Sequence, residues 1–112
     1  MFKLIMLIKK RPDMSRDAFI DYYDNHHVPL VHSILPMGAA IHRRNYPLGA
    51  DAEYAVISEV FYEDQQTATA AAAKLAEPET AAIILADEDR FILRGSIKRF
   101  IVETHETKYR EV

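Results

Sequence analysis

The chain has 112 residues, 49% hydrophobic and 28% charged, with 14 basic against 17 acidic side chains and a net charge of −3. That is one domain with a packed core, not a disordered segment. No cysteine is present, which removes disulfides, thiolate metal sites and a cysteine nucleophile together.

Phe2 to Ile8 is almost continuously apolar, as expected of a strand buried on both faces. Its apolar part from Leu4 to Ile8, flanked by Lys3 and Lys9, is too short to span a membrane, and no small-residue cleavage site follows it. A cytoplasmic location is expected. Arg11-Pro12-Asp13-Met14 breaks the run, and Ser15 is a good N-cap with Asp17 in the first turn behind it.

From Phe19 the apolar spacing becomes helical, through Phe19, Ile20, Tyr23, His27, Leu30 and Ile34. These positions fall within a stripe roughly 100° wide, the width of a core-facing helix. Pro29 sits inside it and lacks the amide that a helix interior needs. A kink is therefore expected near His26 and His27, with a carbonyl freed around Asn25.

Pro36-Met37-Gly38 ends this helix, and a second strand is expected over residues 39–46. Turn chemistry over Pro47 to Asp51 leads to a third strand over residues 54–62, rich in Val, Ile and aromatics. An alanine-rich helix over 66–76 is interrupted by Pro78 and resumes over 79–86. Asp87 to Phe91 reads as a short turn or a single helical turn, and residues 96–104 as the last strand. Residues 1–106 thus form one domain, and 107–112 a charged tail.

The order β-α-β-β-α-β is the α+β, ferredoxin-like arrangement, a four-stranded antiparallel sheet with both helices on one face. In the first strand Phe2, Leu4, Met6 and Ile8 oppose Ile5 and Leu7; in the last, Ile97 and Ile101 oppose Phe100 and Val102. Two-sided strands in a two-layer protein leave one face needing a cover. A homodimer through that open face is expected.

His27 stands at the centre of the apolar stripe, where a leucine is usual. Such a ring is either a structural histidine or an acid/base group lining an apolar pocket. Glu59, a charge in mid-strand, is either its partner or an outward-facing or interface carboxylate. Tyr23 is either core or a hydrogen-bond donor to a developing oxyanion. His26 lies at the edge of the stripe, Tyr22 points away from it, and His42, Arg43 and Asn45 are polar groups of the second strand. Ala70 to Ala73 carry short side chains that either leave ligand volume or permit close helix–sheet packing.

No metal site is expected, because His27 and His32 are five residues apart, about 140° around an α-helix. Gly38, Gly49 and Gly95 stand alone, so no phosphate-binding loop forms and no nucleotide cofactor is expected. The basic clusters Lys9-Lys10-Arg11, Arg43-Arg44 and Lys98-Arg99 are too short for a nucleic-acid footprint.

Met14-Ser15, followed by Phe19-x-x-Tyr22-Tyr23-x-x-x-His27-x-Pro29-Leu30, resembles the opening signature of the EthD-like family of dimeric α+β barrels. The likeness continues through Leu35-Pro36-x-Gly38, Asp51, Glu59-x-Phe61 and Asp87 to Phe91, and ends at Ile101-Val102-Glu103. The family usually has Trp where Tyr23 stands, and often an acidic residue where Leu93 stands.

The resemblance implies a ferredoxin-like protomer dimerised through its sheet. Relatives of the family act as dehydratases, decarboxylases or cyclases on polyketide-like aromatics; the wider group includes isomerases and cofactor-free monooxygenases. The expected function is a cofactor-independent lyase or isomerase on a small apolar or aromatic compound. His27, Tyr23 and Glu59 are the candidate catalytic groups, with His26, Phe19, His42, Asn45 and Phe91 lining the ligand space. The alternatives are a cofactor-free monooxygenase and a non-catalytic, dimeric small-molecule-binding or accessory protein.

Overall fold

The computed structural model describes residues 2–110, the side chain of Phe2 excepted, so that side chain and the last two positions of the tail lie outside the described residues. The described elements are β1 (Phe2–Ile8), α1 (Arg16–Tyr22), a π-turn (Tyr23–His27), α2 (Val28–Ile34), β2 (Ile41–Asn45), β3 (Val56–Phe61), α3 (Gln65–Ala76), α4 (Pro78–Glu88) and β4 (Lys98–Glu103). The sheet order is β2-β3-β1-β4 and each neighbouring pair is antiparallel. This is the expected α+β, ferredoxin-like sheet.

Each helix start has a chemical reason. Ser15 Oγ accepts from the Ala18 amide at 3.1 Å, and Asp64 Oδ1 from the Thr67 amide at 2.7 Å, each capping a helix. Pro78 opens α4, where a missing amide costs nothing. The kink expected near His26 and His27 takes a defined form. The Val28 amide bonds to the Tyr23 carbonyl, five residues back, so the chain makes one wide turn before Pro29 enters α2.

Strand register sorts the side chains. Leu4 pairs with Val60, Met6 with Ser58 and Ile8 with Val56, all on the helix-covered face. Ile8, Val56, Phe19, Tyr23, Phe91 and Ile92 form the core between that face and the first helical segment. On the other face Ile5 pairs with Glu59, Leu7 with Ile57, Arg43 with Glu59 and Ile5 with Phe100. Ile41, Ile57 and Phe100 there are 49%, 36% and 48% exposed.

Two expectations are refined. Asp87 and Glu88 continue α4 as its last residues, and the turn begins at Asp89. Ala70, Ala72 and Ala73 are exposed and only Ala71 is buried in α3, so the alanines do not line a space against the sheet. After Glu103 the described chain carries no regular structure, and no helix among the described residues is long and apolar enough to cross a membrane.

Gly38 follows α2 with φ of 59°, and a Cβ there would meet Glu63 Oε1 at 2.5 Å. The Gly38→Ala variant is expected to lose about 1–2 kcal/mol through the left-handed backbone alone. A melting temperature lowered by at least about 4 °C checks it.

Candidate functional site

The first helical segment lays Phe19, Tyr23 and His27 inward along one line, and all three are buried. Phe91, reached just after α4, packs beneath them. Its ring centroid is 5.5 Å from Phe19, 5.3 Å from Tyr23 and 4.9 Å from His27. Backbone pairing holds this residue in place: the Arg11 amide donates to the Phe91 carbonyl at 2.9 Å, and the Leu93 amide to the Lys9 carbonyl at 2.9 Å.

His27 has a partner that the sequence did not indicate. Its Nδ1 lies 2.7 Å from Asp87 Oδ2, and the Tyr22 hydroxyl donates to Asp87 Oδ1 at 2.6 Å. An ionised carboxylate only accepts, so Nδ1 carries the hydrogen and Nε2 carries the lone pair of the neutral ring. Among the described residues Nε2 makes no hydrogen bond, and no side-chain nitrogen or oxygen is both buried and unpaired. Nε2 is therefore unpaired but not wholly enclosed, in a ring that is 6% exposed.

A second polar group adjoins the first. The Tyr23 hydroxyl lies 2.7 Å from Ser58 Oγ and 3.5 Å from His42 Nε2. Burial pushes the Tyr23 phenol up to about 12, so it stays protonated. His42 is pulled from 6.5 to about 4 by burial, then by the charges of Arg44 and His27. Burial also raises the Glu88 carboxyl above its ordinary value, against the pull of His27 and of Arg99, whose Nη2 lies 3.9 Å away. Asp24, inside the π-turn, accepts from Arg44 Nε at 2.7 Å and from the Tyr46 hydroxyl at 2.6 Å, fastening the turn to β2.

The structure divides the expected site residues. His27, Tyr23, His42 and Phe91 come together. Phe19 is fully buried under the site, and His26 is exposed, stacked on Tyr22 with centroids 5.0 Å apart. Glu59 and Asn45 are on the opposite face of the sheet, so Glu59 is not the partner of His27. Glu59 Oε1 accepts from Lys3 Nζ at 2.6 Å and Oε2 from Asn45 Nδ2 at 3.2 Å; these two bonds, Lys3's the stronger, hold its carboxyl below the ordinary range.

Tyr22, Ser58, Asp87 and Glu88 are the polar members of the site that sequence reasoning did not select. The signal for Tyr22 was Pro29, since a wide turn brings residues five apart onto one side. No three His, Asp or Glu side chains among the described residues cluster as metal ligands. Grooves of about 280 Å³ beside Tyr54 and Arg94, and of about 210 Å³ beside Lys3 and Glu59, do not include His27 in their walls.

A family model for the EthD domain matches residues 11–95. The chain belongs to the EthD family. An ethyl tert-butyl ether D family protein of Bacillus halodurans shares 23% identity, with a TM-score of 0.64 over 94% of this chain and 99% of that one. A dimeric, ferredoxin-like protein of unknown function from Bacteroides fragilis shares 12% identity, with a TM-score of 0.56 over 92% and 95%. A monooxygenase of Streptomyces coelicolor, solved in complex with nanaomycin D, shares 12% identity, with a TM-score of 0.60 over 98% and 92%. At these identities the likeness is one of fold. A comparison with curated proteins found no match.

In this EthD-family chain, His42 sets a pH dependence with a definite sign. The folded state resists protonating it, so its contribution to stability is complete above about pH 6.5 and is lost as pH falls toward about 4. Between pH 7 and 5 the unfolding free energy of wild type, from urea titrations, is expected to fall more than that of His42→Gln, by about 1–2 kcal/mol.

Proposed function

We propose that this EthD-family protein is a cofactor-independent lyase or isomerase acting on a small apolar or aromatic carbonyl compound, with His27 as its acid/base group. The His27–Asp87 pair carries the reading, because a carboxylate on Nδ1 leaves the other ring nitrogen unpaired and available as a base.

Nε2 takes a proton from the carbon next to the carbonyl, and the electron pair moves into an enolate. Asp87 stabilises the imidazolium that results, as a carboxylate does behind any histidine base. The proton then returns to a second carbon in an isomerisation, or leaves with hydroxyl as water in a dehydration. In this reading Tyr23 and the neutral His42 hydrogen-bond the oxyanion. The rings of Phe91 and Tyr23 packed against His27 are surroundings that suit an aromatic substrate. Glu59 and Asn45 take no part in this chemistry.

The same reading includes a homodimer through the open sheet face. The protomer exposes 7881 Å², where a compact monomer of this mass exposes about 6,300 Å². Its radius of gyration is 15.1 Å, against about 13 Å for a compact domain of this length. The dimeric Bacteroides fragilis protein supports this assembly. Glu59, clamped by Lys3, is then an interface carboxylate.

The chemistry is tested by deuterium exchange. Ligands are first found by thermal shift among small aromatic ketones, lactones and polyketide-like phenols. Wild type and His27→Gln are both expected to bind, while only wild type speeds exchange of the carbon-bound proton, by about 100-fold or more over the variant. Binding with equal exchange in both proteins assigns a non-catalytic binding role instead. For the assembly, sedimentation of Ile57→Asp is expected to give a folded monomer where wild type is a dimer; an unchanged dimer refutes the sheet interface.

A further inference from the structure

Tyr22 and His27 are five residues apart, which in an α-helix sets them about 140° from one another. Two side chains so placed do not share a partner. Here the turn between them is wide, closed by the bond from the Val28 amide to the Tyr23 carbonyl, and both side chains reach the same carboxylate. The Tyr22 hydroxyl takes one oxygen at 2.6 Å and His27 Nδ1 the other at 2.7 Å.

Tyr22 is itself held on both sides. Its ring stacks on His26 at 5.0 Å with 29° between planes, and meets Phe91 at 5.1 Å. Burial, followed by the bond to Asp87, raises its phenol above the ordinary value, so the hydroxyl remains a donor. An aspartate carboxylate turns easily about its last torsion. With Tyr22 bound to Oδ1, the direction of Oδ2 is fixed. Without that hydroxyl, Oδ1 loses the partner that fixes it and the carboxylate is free to turn.

We propose that Tyr22 is a positioning residue: set beside His27 by the π-turn, its hydroxyl locks the Asp87 carboxylate and so holds His27 as the Nδ1–H tautomer with Nε2 free. The inference deepens the reading of His27 as the acid/base group. It assigns the π-turn a task, since five-residue spacing supports this shared contact only when the turn is wide.

The test reads the tautomer directly and needs no substrate. Protein labelled with ¹⁵N-histidine is examined at neutral pH by two-bond proton–nitrogen correlation, for wild type, Tyr22→Phe and Asp87→Asn. Wild type is expected to show a single Nδ1–H pattern for His27. Tyr22→Phe, which keeps the stacked ring, is expected to show both tautomers in a folded spectrum.

A wild-type pattern retained in folded Tyr22→Phe overturns the proposal and leaves Tyr22 as packing alone. Should Tyr22→Phe fail to fold, Asp87→Asn decides. Its amide offers one acceptor oxygen for two donors, so loss of the single Nδ1–H pattern supports the shared carboxylate and its retention refutes it. An Nε2–H pattern in wild type overturns the proposal outright. A single Nδ1–H pattern that Tyr22→Phe disturbs, in a protein that catalyses no exchange, leaves the positioning intact and removes only the catalytic reading. Where turnover is found, Tyr22→Phe is expected to lower kcat with KM unchanged.

Discussion

One carboxylate ties the two ends of this fold together. Asp87, near the end of α4, accepts from Tyr22 and His27, residues 65 and 60 positions earlier in the chain. Hydrogen bonds to a charged group contribute about 1.5–3 kcal/mol each, and a half-buried carboxylate left with one partner forfeits more than that bond. The pair therefore fixes where α4 docks on the first helical segment. Phe91, three residues past the helix end, is carried by the same docking under His27. The ring that does the proposed chemistry is oriented by this carboxylate, while backbone pairing with the Arg11 and Lys9 segment holds the Phe91 floor beneath it.

The sheet then separates two tasks. On its covered face Ser58, the one small polar residue among Val56, Ser58 and Val60, meets the Tyr23 hydroxyl and keeps a buried tyrosine satisfied. On its open face the register sets Glu59 beside Arg43 and Ile5, with Lys3 and Asn45 bonded to it. The Lys3–Glu59 pair satisfies a charge that sits amid the exposed Ile41, Ile57 and Phe100. Alternation along a strand makes this division possible, because neighbouring residues serve opposite faces.

The architecture was legible because its signals are local. The apolar run of β1, the cap at Ser15, the turn residues around Gly49 and the β-rich stretch of β3 each declare themselves over a few residues. His27 was legible too, as a polar ring where the pattern calls for leucine. Its partner was not. Asp87 lies on a segment whose Asp-Glu-Asp-Arg composition reads as a short turn or a single helical turn, and only tertiary docking makes one of its carboxylates an acceptor for imidazole. Glu59 drew attention as a charge in mid-strand, yet face assignment rests on register, and the pairing of Ile5 with Glu59 places it away from His27. Tyr22 was set apart from His27 because the expected kink at Pro29 did not say how the turn would change, and a turn counted at 100° per residue separates the two side chains.

That count fails for a physical reason. A proline at position 29 supplies no amide to the Asn25 carbonyl, and its ring crowds that carbonyl if the helix continues unchanged. Widening one turn relieves the crowding but weakens the helical ladder, and a wide turn persists only where other bonds replace what is lost. Those replacements are present: Arg44 and Tyr46 both donate to Asp24 within the turn, while Tyr22 and His27 at its two ends share Asp87. The turn is thus sutured to β2 on one side and to α4 on the other. Local irregularity held by long-range polar contacts is the pattern of a segment kept for what it positions, because a helix serving only as core would gain stability by running straight.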